Sequence, residues 1–247
     1  MHTQRVALIT GGAKRVGRAV VEHLAETGWR VIFTYYTSKV DADELIESWT
    51  SRNGEHADNL KAVYAPLNDN NWTADSIVKE LISLGRLDLF LHNASLYKPD
   101  NAANNGVELN QQFQRIHVES FRKIIDATAP MLRGSCGSVV TMLDVMVKRP
   151  LPGYSMYCAS KAALANLTLA VARELAPEVT VNGIAPGVVD WPDDMPQPAR
   201  DAYLKNVPLG RAGTPADVAK LVEFLSTDGK YITGQIIALD GGRSLGW

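Results

Sequence analysis

Apolar residues are distributed along the chain in two alternating patterns. Short, nearly unbroken runs at Val6–Thr10, Arg30–Tyr35, Lys61–Ala65, Leu87–His92, Ser138–Leu143, Thr180–Ile184 and Gln235–Leu239 read as strands buried on both faces. Longer stretches with helical spacing lie between them: Arg18–Glu26, 41–50, 73–84, Asn110–Leu132, Ser155–Leu175 and one opened by Thr214. Gly28 sits where the first of these helices needs a C′ residue, and Thr214-Pro215 supplies N-cap and N1 of the last. Strand–helix alternation of this kind predicts one α/β domain over residues 1–247, with a doubly wound parallel sheet of seven strands and helices on both faces. The stretch 186–213, with prolines at 192, 196, 198 and 208, follows neither pattern. An irregular segment this long in a compact domain is usually functional, so it is expected to be a substrate loop or lid.

Composition narrows the class. Hydrophobic residues make up 46% of the chain, too many for a disordered protein. No apolar run approaches the length of a membrane span. The opening Met1–Arg5 leads directly into a strand, which leaves no room for a signal peptide and predicts a cytoplasmic protein without a membrane partner. A net charge of −2 gives no reason to expect nucleic acid as a partner. Cys136 and Cys158 have neither metal-ligand spacing nor a disulfide framework, so no metal is expected.

Candidate chemistry concentrates at the ends of the expected strands. Thr10-Gly-Gly-Ala-Lys-Arg-Val-Gly17 joins the first strand to the first helix. Gly11 and Gly12 permit a tight turn, Gly17 permits close packing on the sheet, and the helix N-terminus offers N–H groups to a pyrophosphate. After the second strand, Thr34-Tyr-Tyr-Thr-Ser-Lys39 has no acid before Asp41 to bind a ribose 2′-hydroxyl. Lys14, Arg15, Thr37 and Ser38 instead suit a 2′-phosphate, hence NADP(H). Tyr157 and Lys161 stand one helical turn apart on one face, and Asp144 ends the fifth strand at the sheet edge where ligands bind. A phenol beside an ammonium is expected to be acidified by it.

With the glycine turn, Asn93-Ala94, Tyr157-x-x-x-Lys161 and Pro186-Gly187 in one order, the chain resembles the short-chain dehydrogenase/reductase family over nearly its whole length. The resemblance implies a Rossmann fold, a dimer or, more specifically, a homotetramer, and a nicotinamide cofactor. Arg15 in the glycine turn, Ser95 where the family usually has Gly, and Asp144 in place of the usual catalytic Ser resemble the pteridine and dihydromonapterin reductase branch. Asp193-Asp-Met-Pro196, Tyr231-Ile-Thr-Gly and Asp240-Gly-Gly extend that likeness. His117 stands where the family often has a relay Asn, and Pro66 where an Asp often contacts adenine, leaving the backbone near Leu67 for that contact.

By this resemblance Asp144, Tyr157 and Lys161 are catalytic. Gly11, Lys14, Arg15, Val16, Gly17, Thr37, Ser38, Leu67, Asn93, Ala94, Ser95, Tyr157, Lys161, Pro186, Gly187 and Val188 bind the cofactor. Arg15, Ser95, Tyr97, Asp144 and Tyr157 bind a pterin or folate substrate, with Tyr97 stacking on the ring and Arg15 bridging its oxo group and the cofactor phosphate. Hydride then passes to a C=N bond of a (dihydro)pterin or dihydrofolate. Two alternatives stand beside this reading: a reductase of 3-oxoacyl or other ketones, and a non-catalytic NADP-sensing protein on the same fold.

Overall fold

The computed structural model describes residues 4–101, 106–192 and 195–246, without the side chains of 55–57. Seven strands among these residues form one sheet: β1 (Val6–Ile9), β2 (Arg30–Tyr35), β3 (Leu60–Tyr64), β4 (Leu89–His92), β5 (Ser138–Met142), β6 (Thr180–Pro186) and β7 (Ile236–Leu239). Their order is β3-β2-β1-β4-β5-β6-β7, and every pair is parallel. The helices are α1 (Arg15–Glu26), α2 (Lys39–Asn53), α3 (Asp75–Leu84), α4 (Gly106–Gln114), α5 (Ser120–Gly134), α6 (Ser155–Leu175), α7 (Gln197–Leu204) and α8 (Pro215–Ser226). The fold is thus the expected single Rossmann-like α/β domain.

Alternation along the strands divides the core. Leu8, Phe90, Val139 and Val181 face α3, α5 and α6. Ala7, Ile9, Leu91 and Val140 face α1, α2 and α8. Both faces being covered accounts for the unbroken apolar runs in the sequence. Thr214 caps α8 reciprocally: its hydroxyl accepts from the Asp217 N–H at 3.1 Å while Asp217 accepts from the Thr214 N–H at 2.9 Å. Gly28 is the C′ residue of α1, at φ +88°.

Three expectations need correction. First, α1 begins at Arg15 rather than Arg18, because apolar periodicity marks only its buried face from Gly17 onward. Second, the helix expected over Asn110–Leu132 spans Gly106–Gly134 and is interrupted by a π-turn at Arg115–Glu119, in which His117 is fully buried. Third, the 186–213 segment holds a helix, α7, with Pro198 in its first turn, where a missing N–H does no harm. Asp193 and Asp194 lie outside the described residues.

The sheet order turns outward in both directions from β1 and β4, so a crevice forms beyond their carboxyl ends. Close backbone approach builds it. Gly11 has φ +66°, and a Cβ there would lie 2.9 Å from Ala94 Cα. A Cβ on Gly17 would strike the Gly11 carbonyl oxygen and come within 2.7 Å of Asn93 Nδ2. Gly17→Ala is therefore expected to destabilise the chain by about 1–3 kcal/mol. Urea unfolding reads this as a lower midpoint with an unchanged slope.

Candidate active site

A cleft of about 1100 Å³ opens over the carboxyl ends of the strands. Its lining includes Gly11, Lys14, Arg15, Val16, Gly17, Thr37, Ser38, Leu67, Asn93, Ala94, Ser95, Tyr97, Asp144, Tyr157, Gly187 and Val188. Of the residues expected in the site, Pro186 and Lys161 are not in this lining. Pro186 ends β6, hydrogen-bonded in register beside Leu239, and Lys161 lies beneath the surface.

At one end of the cleft, the N-terminus of α1 has no capping side chain and no acid in its first turn. Its amide groups and positive dipole end meet the floor left by the glycines, a cradle that suits a pyrophosphate. Asn93 braces this floor, donating to the Thr10 and Gly11 carbonyls at 3.1 and 2.9 Å. Its side-chain amide is thereby spent on the loop. Ser38, N-cap of α2, makes no capping bond with its side chain. Lys14 pairs with Asp41 at 2.9 Å, and this bond holds the Asp41 carboxyl below its ordinary range. The first acid after β2 therefore has its charge offset. Beside Leu67, Asn68 also lines the cleft at the position of the expected adenine contact.

At the centre, the Tyr157 hydroxyl donates to Asp144 Oδ2 at 2.9 Å, and the Met146 N–H donates to Oδ1 at 2.9 Å. Burial pushes the Asp144 carboxyl above its ordinary range, against the opposing pull of Met146, Tyr157 and Lys161. The Lys161 ammonium is buried and donates to the Met142 carbonyl at 2.8 Å. Burial brings its pKa down to about 8, with Asp144 opposing. The expected acidification of Tyr157 does not occur. Burial, and then the Asp144 carboxylate, push the phenol well above its ordinary value. Nor does Lys161 present its amine to the cleft.

His117 joins the two walls of this centre. The Leu96 N–H donates to Nε2 at 3.3 Å, so that nitrogen is unprotonated, and Ser95 Oγ lies 2.9 Å from it. The Ser160 hydroxyl donates to the Tyr157 carbonyl at 2.7 Å and lies 2.8 Å from His117 Nδ1. The tautomer follows: Nδ1–H donates to Ser160, and Ser95 donates to Nε2. Burial, then Lys161 and His92, hold this imidazole well below its ordinary pKa, so it stays neutral. Ser95, expected to face cofactor or substrate with its hydroxyl, lines the cleft but is turned onto His117.

Two further expected residues have partners that the sequence did not reveal. Tyr97 stacks on Tyr154 at 4.7 Å and meets Tyr157 edge-on at 4.9 Å, so one of its faces is already covered. Arg15, in the left-handed region at φ 51°, reaches across the cleft to Asp190. Its Nε donates to Asp190 Oδ2 at 2.6 Å and its Nη2 to the Asp190 carbonyl at 2.9 Å. Asp190, Tyr203, Arg149 and Arg243 line the cleft without having been anticipated. They lie in loops or in a short helix, where no periodic pattern marks them.

Residues 11–244 match the family model described as enoyl-(acyl carrier protein) reductase. Pteridine reductase 1 of Leishmania tarentolae is 32% identical over 281 aligned positions, covering 98% of this chain and 97% of the relative. The 3-oxoacyl-(acyl-carrier-protein) reductase FabG of Staphylococcus aureus is also 32% identical, covering 98% of this chain and 99% of the relative. The FabG of Thermotoga maritima is 30% identical, covering 96% and 97% respectively. The chain belongs to the short-chain dehydrogenase/reductase family. It is therefore an oxidoreductase, and the enzymes of this family use nicotinamide cofactors. The glycine cradle and uncapped α1 terminus fit the pyrophosphate of such a cofactor. Within the short-chain dehydrogenase/reductase frame, Asp144 stands on the Tyr157 hydroxyl, and the relatives do not decide between a pterin and a 3-oxoacyl substrate.

Lys161 trades stability for position. Below about pH 8 folded and unfolded chains both carry its proton, and the burial penalty stands in full. Between about 8 and the ordinary 10.5 the unfolded chain binds more protons, so stability rises with pH and the penalty fades. Lys161→Met is accordingly expected to stabilise the protein at pH 7 by about 1–3 kcal/mol. The gain shrinks as pH rises through that window, and thermal melts of both proteins across pH 7–10 on the same buffers check it.

Proposed function

We propose that the protein is an NADPH-dependent pteridine reductase, transferring hydride to a C=N bond of a (dihydro)pterin or dihydrofolate. The observation that carries this reading is the carboxylate of Asp144, buried in the cleft and bonded to the Tyr157 hydroxyl. A carboxyl group here suits a ring whose edge offers N–H donors and whose nitrogen must take up a proton. Ionised, it accepts from the ring; protonated, it donates. Burial shifts the carboxyl upward, toward the protonated form that can donate. The Tyr157 hydroxyl, donating to Asp144, orients the carboxyl and stands in line to supply or relay the proton with it. Lys161 steadies the charge from below.

The bound dihydronicotinamide supplies the hydride. Lys14, Thr37, Ser38 and the α2 N-terminus support a 2′-phosphate, since Asp41, the first acid after β2, is matched by Lys14. Gly11, Val16, Gly17, Asn93, Ala94, Gly187 and Val188 shape the cradle, and Leu67 with Asn68 borders the adenine. Arg15 reaches a substrate oxo group and a phosphate on leaving Asp190. The open face of Tyr97 offers a stacking surface. Segment 186–213 serves as the lid through Pro192, Met195 and Tyr203, which line the cleft, and the enzyme works as a cytoplasmic homotetramer, by likeness to its family.

A second reading, reduction of a 3-oxoacyl thioester, is favoured by one observation: the two kinds of relative are equally similar to this chain, at 32% identity. A substrate panel with NADPH separates them. Turnover of a 7,8-dihydropterin is expected to exceed that of acetoacetyl thioesters, and faster ketone turnover sinks the pterin reading. A sensor without catalysis predicts no turnover of either. Asp144→Asn is expected to lower kcat for dihydropterin by roughly 10²–10³-fold. In the parent enzyme kcat/KM is expected to fall as pH rises through the elevated Asp144 titration, because the donating form is lost. A rate indifferent to the substitution excludes Asp144 as the proton donor.

A further inference from the structure

The outer end of the cleft is cationic in a way that hydride transfer to a ring does not use. The Asp240 carboxylate accepts from the Gly242 and Ser244 N–H groups at 2.9 and 2.6 Å. That turn, with Gly241 and Gly242 at φ +62° and +85°, brings Arg243 to the cleft wall, its guanidinium carbon 5.3 Å from the Tyr203 ring centroid. Arg243 Nε is buried and has no hydrogen-bond partner. Arg149 reaches the same end from the loop after β5, donating to the Gly246 carbonyl of the C-terminal segment that carries Arg243. Lys98 lines the cleft next to Tyr97.

None of these three cations forms an ion pair among the described residues, whereas Lys14 and Arg15, at the other lining positions, do. The acids of the lining are engaged as well: Asp144 with Tyr157 and Met146, Asp190 with Arg15. Leu151, Met195 and Tyr203 add apolar surface to the same lining.

We propose that Arg149 and Arg243 form a subsite for an anionic tail of the substrate, remote from the group being reduced. Two guanidinium groups, on segments joined by the Arg149–Gly246 bond, match the paired oxygens of a carboxylate or phosphate. Resting on the pterin reading, the subsite makes the preferred substrate a pterin with an aromatic spacer and a glutamate-type tail, not one with a neutral polyol side chain. The phosphate of a phosphopantetheine thioester would present the same chemistry to the same residues.

The test is a ratio: kcat/KM for 7,8-dihydrofolate over that for a dihydropterin with an uncharged side chain, measured with NADPH. Arg149→Gln and Arg243→Gln are each expected to lower this ratio by about tenfold, with the change in KM, and Arg243→Lys to restore part of it. An unchanged ratio overturns the subsite. Should no pterin be turned over, the same ratio is taken for acetoacetyl-coenzyme A over its N-acetylcysteamine thioester. A fall there sustains the subsite while the pterin reading fails, and a constant ratio overturns the subsite. Binding of p-aminobenzoyl-L-glutamate to the NADPH-loaded enzyme, followed by calorimetry, is a readout free of turnover. Weaker binding in Arg243→Gln supports the proposal, and undetectable binding to the parent enzyme or equal binding to both refutes it.

Discussion

A buried ammonium on a backbone carbonyl holds the reactive centre in place. Lys161 of α6 donates to Met142 at the last position of β5, and one turn earlier Tyr157 donates to Asp144 just beyond that strand. The two bonds fasten one helix to one strand end at two heights. They leave little freedom for a carboxyl group that must stay aimed at the cleft. A charge removed from water in this way is destabilising by itself, and the lowered pKa of Lys161 is the mark of it. The sheet and its two apolar layers supply the stability that offsets it.

The same logic explains His117. Its imidazole is buried and neutral, with both nitrogens committed, and it connects the loop after β4 to α6. The π-turn from Arg115 to Glu119 is the local irregularity that contains it. A side chain in such a place acts as a strut between two walls.

Most of the fold was legible because the central strands β1, β2, β4, β5 and β6 are buried on both sides, so each reads as an apolar run, and helices carry a stripe. Legibility ended where local pattern ceases to determine structure. Nothing in apolar spacing marks a π-turn, and a proline-rich segment concealed α7 because Pro198 sits in a first turn. In the site, residues that lie in motifs reached the cleft together: the glycines, Asn93, Asp144 and Tyr157. Their partners were invisible, since Asp190 is 175 positions from Arg15 and Tyr154 meets Tyr97 only through the fold. The upward direction of the Tyr157 shift was invisible for a related reason. Spacing places an ammonium nearby, but burial depth and the opposing carboxylate are properties of the folded molecule.

The bridge from Arg15 to Asp190 has one more implication. It joins the turn after the first strand to the segment after the sixth with no covalent link. Both partners are substantially exposed, at 58% and 37% of the side-chain surface, so water and dissolved ions share the contact. An exposed pair of this kind contributes well under about 1 kcal/mol, and mobile ions weaken it further. Two walls of the cleft are therefore fastened by a tie whose strength the surrounding electrolyte sets.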